Sequence, residues 1–229
     1  QFPAKWYRQG EFIMPGYDSS YAWRGYINDT TGLMMHNPSR GFVSSANQYP
    51  YDPQVYPYYM NGSFALTRGI VINKTLTALS NITAEDMENL QKNNYNLLAQ
   101  WARPLLLKYT DVSALNATEQ NFLDIFKNWN LYNNPEEKGA TVFKVWWGVL
   151  MEETYGDEFA QSGLPLDMPD ETVLFSGLAK DSAYAFADNI NTPDIETDKE
   201  VINISFKKAA DKLLKAENDN MLEWSKFKG

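Results

Sequence analysis

Cysteine is absent from all 229 residues, which excludes disulfides, thiolate nucleophiles and sulfur-ligated metals from this stretch. Histidine occurs once, as His36, so a two-histidine metal site would need ligands from elsewhere. Beside Met34 and Met35, His36 reads as an ordinary loop residue. Basic side chains are outnumbered, with 20 Lys and Arg against 29 Asp and Glu and a net charge of −9, so neither nucleic acid nor an anionic membrane is an expected partner. No apolar run approaches the ~20 residues of a membrane span, and no basic-then-apolar leader stands at the start. Phosphate-binding glycine loops, H-E-x-x-H, G-x-S-x-G and EF-hand loops are all missing.

What is present is a globular composition, 44% hydrophobic and 14% aromatic, ample for a packed core. Up to residue 79 the chain is rich in Gly, Pro, Tyr and Asn, and three runs have strand character: Ser20–Ile27, Gly41–Ala46 and Gly69–Asn73. Between the last two, Tyr49–Ser63 carries three prolines among aromatic residues, too many for a ladder.

From residue 80 the period changes. Thr83 with Asp86 forms a capping-box start, and Met87, Leu90, Leu97, Leu98, Trp101 and Leu105 recur at helical spacing, predicting one long helix. Further helices are predicted over Thr118–Trp129, Gly139–Tyr155, around Glu171–Ala187, and through Ile202–Leu214. Strands followed by helices indicate an α+β chain, with a strand- and loop-rich segment over 1–79, a helical domain over 80–218, and 219–229 returning toward the core. The start at Gln1 and the end directly after "LEWSKFKG" suggest an excised piece of a longer protein.

Six Asn-x-Ser/Thr sequons occur, at Asn28, Asn61, Asn73, Asn81, Asn116 and Asn203, in a chain so rich in Asn that chance accounts for many. The carboxylate pairs Glu136–Glu137 and Glu152–Glu153 are adjacent on helical segments, which points them apart rather than at one substrate. Metal binding by Asp52, Asp167, Asp170 or Asp181 has nothing in its favour.

Asn47 is the residue with chemistry to offer. A neutral side-chain amide at the mouth of a strand can donate to a developing negative oxygen and cannot remove the proton itself. The ordinary reading of an Asn before Gln-Tyr-Pro is a turn former bonding its own backbone.

Asn37-Pro38 with "GFVSSANQYP", preceded by "WRGYI" and followed by "YPYYMNGSFALTRGIVI", resembles the β-chain of the penicillin amidase (penicillin acylase) family of N-terminal-nucleophile hydrolases. Downstream, "LTALSNITAEDMENLQ", "LLAQWARPLLL", "FLDIFKNWN", "TVFKVWW" and "LEWSKFKG" keep that family's order, so the resemblance spans nearly the whole chain. It implies a strand-bearing piece of an αββα sandwich followed by a mostly α-helical insertion. It also implies amide hydrolysis by a serine at the N-terminus of the mature β-chain, freed by self-cleavage of a precursor, with its own α-amine as base. The family's oxyanion-hole asparagine matches Asn47. An arginine at the start of the next strand, which helps hold the site, matches Arg68. Many relatives carry a second basic residue shortly afterwards, where this chain has Ile70 and Val71.

The nucleophile, the second oxyanion donor and most of the acyl pocket are expected upstream of Gln1. Ser44, Ser45 and Ser63 are internal, have no free α-amine, and do not qualify. The chain is thus expected to be an internal fragment of the β-chain, inactive alone and partnered by the α-chain and the remaining β-chain, acting on a small N-acyl amide. No cofactor is expected in this stretch; calcium, bound by some members, is an option for the longer protein. Periplasmic or secreted localisation follows from the resemblance. The competing expectation is a non-catalytic binding or structural module, contacting a partner through the aromatic loop Tyr49–Phe64, or a degenerate family member.

Overall fold

The computed structural model describes residues 2–27, 35–49, 66–180 and 183–229. The chain divides into two compact units, Gln1–Lys92 and Asn93–Gly229, whereas the change in sequence character falls at residues 79 and 80.

In the first unit Phe2–Pro3 (β1) pairs antiparallel with Tyr26–Ile27 (β2), Phe2 opposite Ile27 and Pro3 opposite Tyr26. The loop between them closes on Gln9, 2% exposed, whose Nε2 donates to the Tyr21 carbonyl at 2.7 Å and whose Oε1 accepts from Trp6 N at 3.1 Å. A buried amide must satisfy both its ends, and this one does so by tying two turns together. Helix α1 (Leu66–Ala78) and helix α2 (Ala84–Gln91) follow. Thr83 and Asp86 form the reciprocal capping box of α2.

Three strand expectations are corrected here. Of Ser20–Ile27 only the last two residues join a ladder, Gly41–Ala46 has no strand partner among the described residues, and Gly69–Asn73 lies inside α1. The β-branched run Ile70-Val71-Ile72 mimics a strand, but strand propensity reflects fit to a pleated surface, and no such surface meets this run. Helical periodicity satisfies it instead: Gly69 and Leu76, two turns apart, are the buried residues of α1. Thr75 and Thr77 hydroxyls donate back to the Val71 and Asn73 carbonyls at 2.9 and 2.8 Å. The aromatic loop expected over 49–63 falls, beyond Tyr49, outside the described residues. So do Asn28, Asn61, Asp52 and Asp181.

The second unit is helical: α3 (Leu97–Tyr109), α4 (Ala117–Asn128), α5 (Lys138–Ser162), α6 (Glu171–Lys180), α7 (Asp198–Asn218) and α8 (Trp224–Lys228). The single helix predicted from Thr83 to Leu105 is two helices. Asn93-Asn94-Tyr95-Asn96 interrupts the run, and Asn96 accepts from Ala99 N at 2.9 Å to start α3 afresh. Likewise the run predicted around Glu171–Ala187 ends as helix at Lys180, with a 3₁₀ turn at Ala185–Ala187.

The core is built round α5, which packs on α4, α7 and α8. Buried residues occupy most of its first five turns, among them Val142, Phe143, Trp146, Trp147 and Leu150, and leave solvent a narrow strip that includes Lys144, Gly148 and Glu152. Trp146 is fully buried, its ring centroid 4.5 Å from that of Phe206 and 5.4 Å from that of Phe126, and its indole N–H donates to Ser205 Oγ at 3.2 Å. Residues after α7 rejoin this body: Trp224 N and Ser225 N donate to the Glu137 and Pro135 carbonyls.

Gly139 shows how tight the start of α5 is. A Cβ there would lie 2.3 Å from Trp129 Cβ and 2.4 Å from Cγ, against atoms fixed by the Trp129 indole N–H bond to the Tyr132 carbonyl. Gly148, by contrast, faces open space. Gly139→Ala is expected to destabilise the chain by about 1–3 kcal/mol through overpacking. Gly148→Ala is expected to stabilise it by about 0.5–1 kcal/mol, and urea unfolding midpoints of the two variants distinguish these signs.

Later in α5, burial holds the Glu158 carboxyl above its ordinary value, and the hydrogen bond with Asp157 adds in the same direction. A raised folded value means that the protonated form suits the fold. Its contribution is present below the ordinary value of 4.5 and is lost as pH rises through the folded one. Glu158→Gln should therefore raise the melting temperature at pH 7 and lose that advantage near about pH 4.

Candidate active site

Residues 35–49 lie on α1 without forming a ladder, and side-chain hydrogen bonds hold them there. Asn73, one helical turn beyond Gly69, is the hub. Its Oδ1 accepts from Arg40 Nη1 at 2.8 Å and from Ser44 Oγ at 3.0 Å, and its Nδ2 donates to the Gly69 carbonyl at 2.7 Å. Arg40 is itself braced, donating from Nε to the Phe42 carbonyl at 2.9 Å while its guanidinium lies 4.6 Å from the centre of the Phe42 ring.

The chain then turns through Ser44–Gln48. Gln48 Oε1 accepts from Ala46 N at 2.5 Å and its Nε2 donates to the Ser44 carbonyl at 3.3 Å, so the glutamine side chain substitutes for strand pairing within the turn. The same side chain lies flat on Gly69, where a Cβ would come within 3.1 Å of Oε1 and 3.2 Å of Cβ. Gly69 is the bare patch of α1 that lets this turn approach. Ala46 is buried at 7% exposure beneath it.

Asn47 sits at the apex with φ +56°, a left-handed conformation that asparagine tolerates better than most side chains. It is exposed, and Arg68 Nη2, from the first turn of α1, donates to its Oδ1. The two residues singled out in the sequence therefore meet, though neither stands on a strand. Because the guanidinium takes the carbonyl end of the amide, the Nδ2 end is left without an acceptor among the described residues.

Arg68 is also exposed, which limits what its charge does over distance. In water a unit-charge pair at about 4 Å is worth only about 1 kcal/mol. Its firmer contribution is directional: it fixes the amide flip and polarises the N–H bonds at the far end. Beside the turn, a groove of about 520 Å³ runs along α1, lined by Gln48, Leu66, Gly69, Ile70, Asn73 and Lys74 among others.

The remaining candidates are engaged elsewhere or stand alone. Glu153 and Glu152 on α5 pair with Lys208 and Lys212 on α7 at 2.7 and 3.3 Å. Glu137 accepts from Asn130 Nδ2 at 2.7 Å, and Asp170 caps the start of α6 through Thr172 N at 2.8 Å. His36 and Asp167 are exposed. Among the described residues no group of three or more His, Asp or Glu is arranged to hold a metal.

Sequence reasoning passed over Asn73, Gln48, Arg40 and Ser44. The signal was the four-residue step from Gly69 to Asn73, which places both on one helical face but places strand residues on the same face only through even steps, as one row among many. In the sequence Asn73 reads only as a sequon and as the end of a strand-like run.

Orientation of the Asn47 amide by Arg68 is checked directly by side-chain amide NMR. Arg68→Ala should collapse the two Asn47 Nδ2 proton resonances toward solvent-averaged values, whereas Lys74→Ala, one residue beyond the hub, should leave them in place.

A family model described as Penicillin amidase matches residues 1–229. No curated protein matches the chain.

Proposed function

The chain belongs to the penicillin amidase family, a family of amide hydrolases, and from that premise we propose that it supplies the oxyanion-binding side of an N-acyl amide hydrolase site. The single observation that supports this reading is the Arg68 hydrogen bond to Asn47 Oδ1, which leaves the Nδ2 donor without an acceptor among the described residues.

In this reading the nucleophile is an N-terminal serine from a segment outside these 229 residues. Its Oγ adds to the substrate carbonyl while its α-amine, through water, takes the hydroxyl proton. Negative charge develops on the carbonyl oxygen, and Asn47 Nδ2 donates to it together with a backbone N–H from that other segment. The tetrahedral species collapses, the C–N bond breaks as the leaving nitrogen is protonated, and water later releases the acid from the acyl-serine. Asn47 is neutral throughout and exchanges no proton, so its contribution is independent of pH over the working range. Arg68 holds it in place. The α-chain and the remaining β-chain complete the site, and an αββα sandwich forms around these residues only in their company. The acyl group is apolar, and the protein works in the periplasm or outside the cell.

The test uses the full-length, self-processed enzyme with a chromogenic phenylacetyl amide. Asn47→Ala should lower kcat by about a hundredfold or more. Asn47→Asp is the sharper variant, because it keeps the Arg68 contact and the left-handed backbone while removing the donor and adding a repelling charge; it should fall at least as far. Near-normal turnover in Asn47→Asp would overturn the reading. The 229-residue chain by itself should show no turnover above buffer.

A further inference from the structure

We infer that Asn73 is a positioning residue for the Asn47 amide, an inference that rests on the reading of Asn47 just given. Asn73 lies on α1 and is half-buried. Its three hydrogen bonds use both Oδ1 lone pairs, on Arg40 and Ser44, and one Nδ2 proton, on the Gly69 carbonyl. The carbonyl bond is the key to its action, because it locks the Asn73 side chain back along its own helix and fixes where Oδ1 points. Oδ1 then captures Ser44, three residues before Asn47, and Arg40, seven before it.

The turn between Ser44 and Asn47 is stiff. Gln48 bridges Ala46 N and the Ser44 carbonyl, and Ala46 is buried. Displacement at Ser44 therefore carries through to the apex, where, among the described residues, Arg68 would otherwise be the one side chain holding an exposed amide. One anchor fixes a point; two anchors fix an orientation. Asn73 supplies the second, from the same helix that carries Arg68, so both are referred to one rigid element. An oxyanion donor displaced by about 1 Å loses much of its effect.

The experiment is a double-mutant cycle in the self-processed full-length enzyme with the same phenylacetyl amide. Asn73→Leu, which keeps the shape and removes all three bonds, should lower kcat by about ten- to a hundredfold with KM little changed. Asn73→Asp, which keeps the acceptor for Arg40 and Ser44 but loses the donor to the Gly69 carbonyl, should recover only part of the loss. In the Asn47→Ala background Asn73→Leu should have no further effect, because the group it positions is gone. Ser44→Ala, which leaves α1 untouched, should lower kcat in the same direction by less, and this loss too should vanish in the Asn47→Ala background; it carries the test if Asn73→Leu fails to fold or process. Additive losses in the Asn47→Ala background, or unchanged kcat in both Asn73→Leu and Ser44→Ala, would overturn the inference. A full loss in Asn47→Ala with none from Asn73 or Ser44 removes the positioning role alone, while normal turnover in Asn47→Ala removes the oxyanion reading with it.

Discussion

A guanidinium that captures the oxygen of a side-chain amide decides which end of that amide the rest of the world meets. Arg68 does this to Asn47. Without the pair, an exposed asparagine at the tip of a turn rotates between two faces of equal size and opposite polarity, and no catalytic use could be built on it. With it, the cation is bound to the carbonyl side and the neutral donor is left at the other end.

Around that pair the described residues of the first unit are held by directed hydrogen bonds. Gln9 ties the early loop, Gln48 closes the apical turn, and Asn73 pins the approach to it. The second unit is built on the opposite principle. There most of α5 is packed among aliphatic and aromatic groups, with the buried Trp146–Ser205 bond inside and the ion pairs of Glu152 and Glu153 at the rim. Burial is close to proportional to area and indifferent to direction, whereas hydrogen bonds are directional. A scaffold can rely on the first; placing one amide needs the second.

How much of this was legible in the sequence follows the same division. The helices of the second unit announce themselves because their packing imposes a period that a linear reading detects. Phe122, Trp146 and Phe206 all fall on predicted helices and in the observed core. The break at Asn93–Asn96 was missed because the apolar residues on either side of it stay in phase. In the first unit the period is absent. Ile70-Val71-Ile72 has the composition of a strand, and only the neighbours decide that it coils: Gln48 must lie on a residue without a side chain, and Asn73 must stand one turn further on. Asn47 stood out on the chemistry of its amide, but its pairing with Arg68 was suggested through resemblance alone, since nothing local says that residues so far apart will touch. Asn73 was hidden by the wrong period, for a step of four carries special meaning only on a helix.

The sequons have a practical corollary for production. Asn73, Asn116 and Asn203 each commit their side chains inside the fold: the first to Gly69, Ser44 and Arg40, the second as the cap of α4, the third from α7 to the Tyr109 carbonyl and Asp111 N. A sugar attached at Asn203 would replace a proton that is already donated, one at Asn73 would crowd an amide held among Gly69, Ser44 and Arg40, and attachment happens before the chain has folded. Secretion through yeast or insect cells would thus trap material that cannot close its first unit or seat α7, whereas a bacterial host without that modification leaves every one of these amides available to the protein itself.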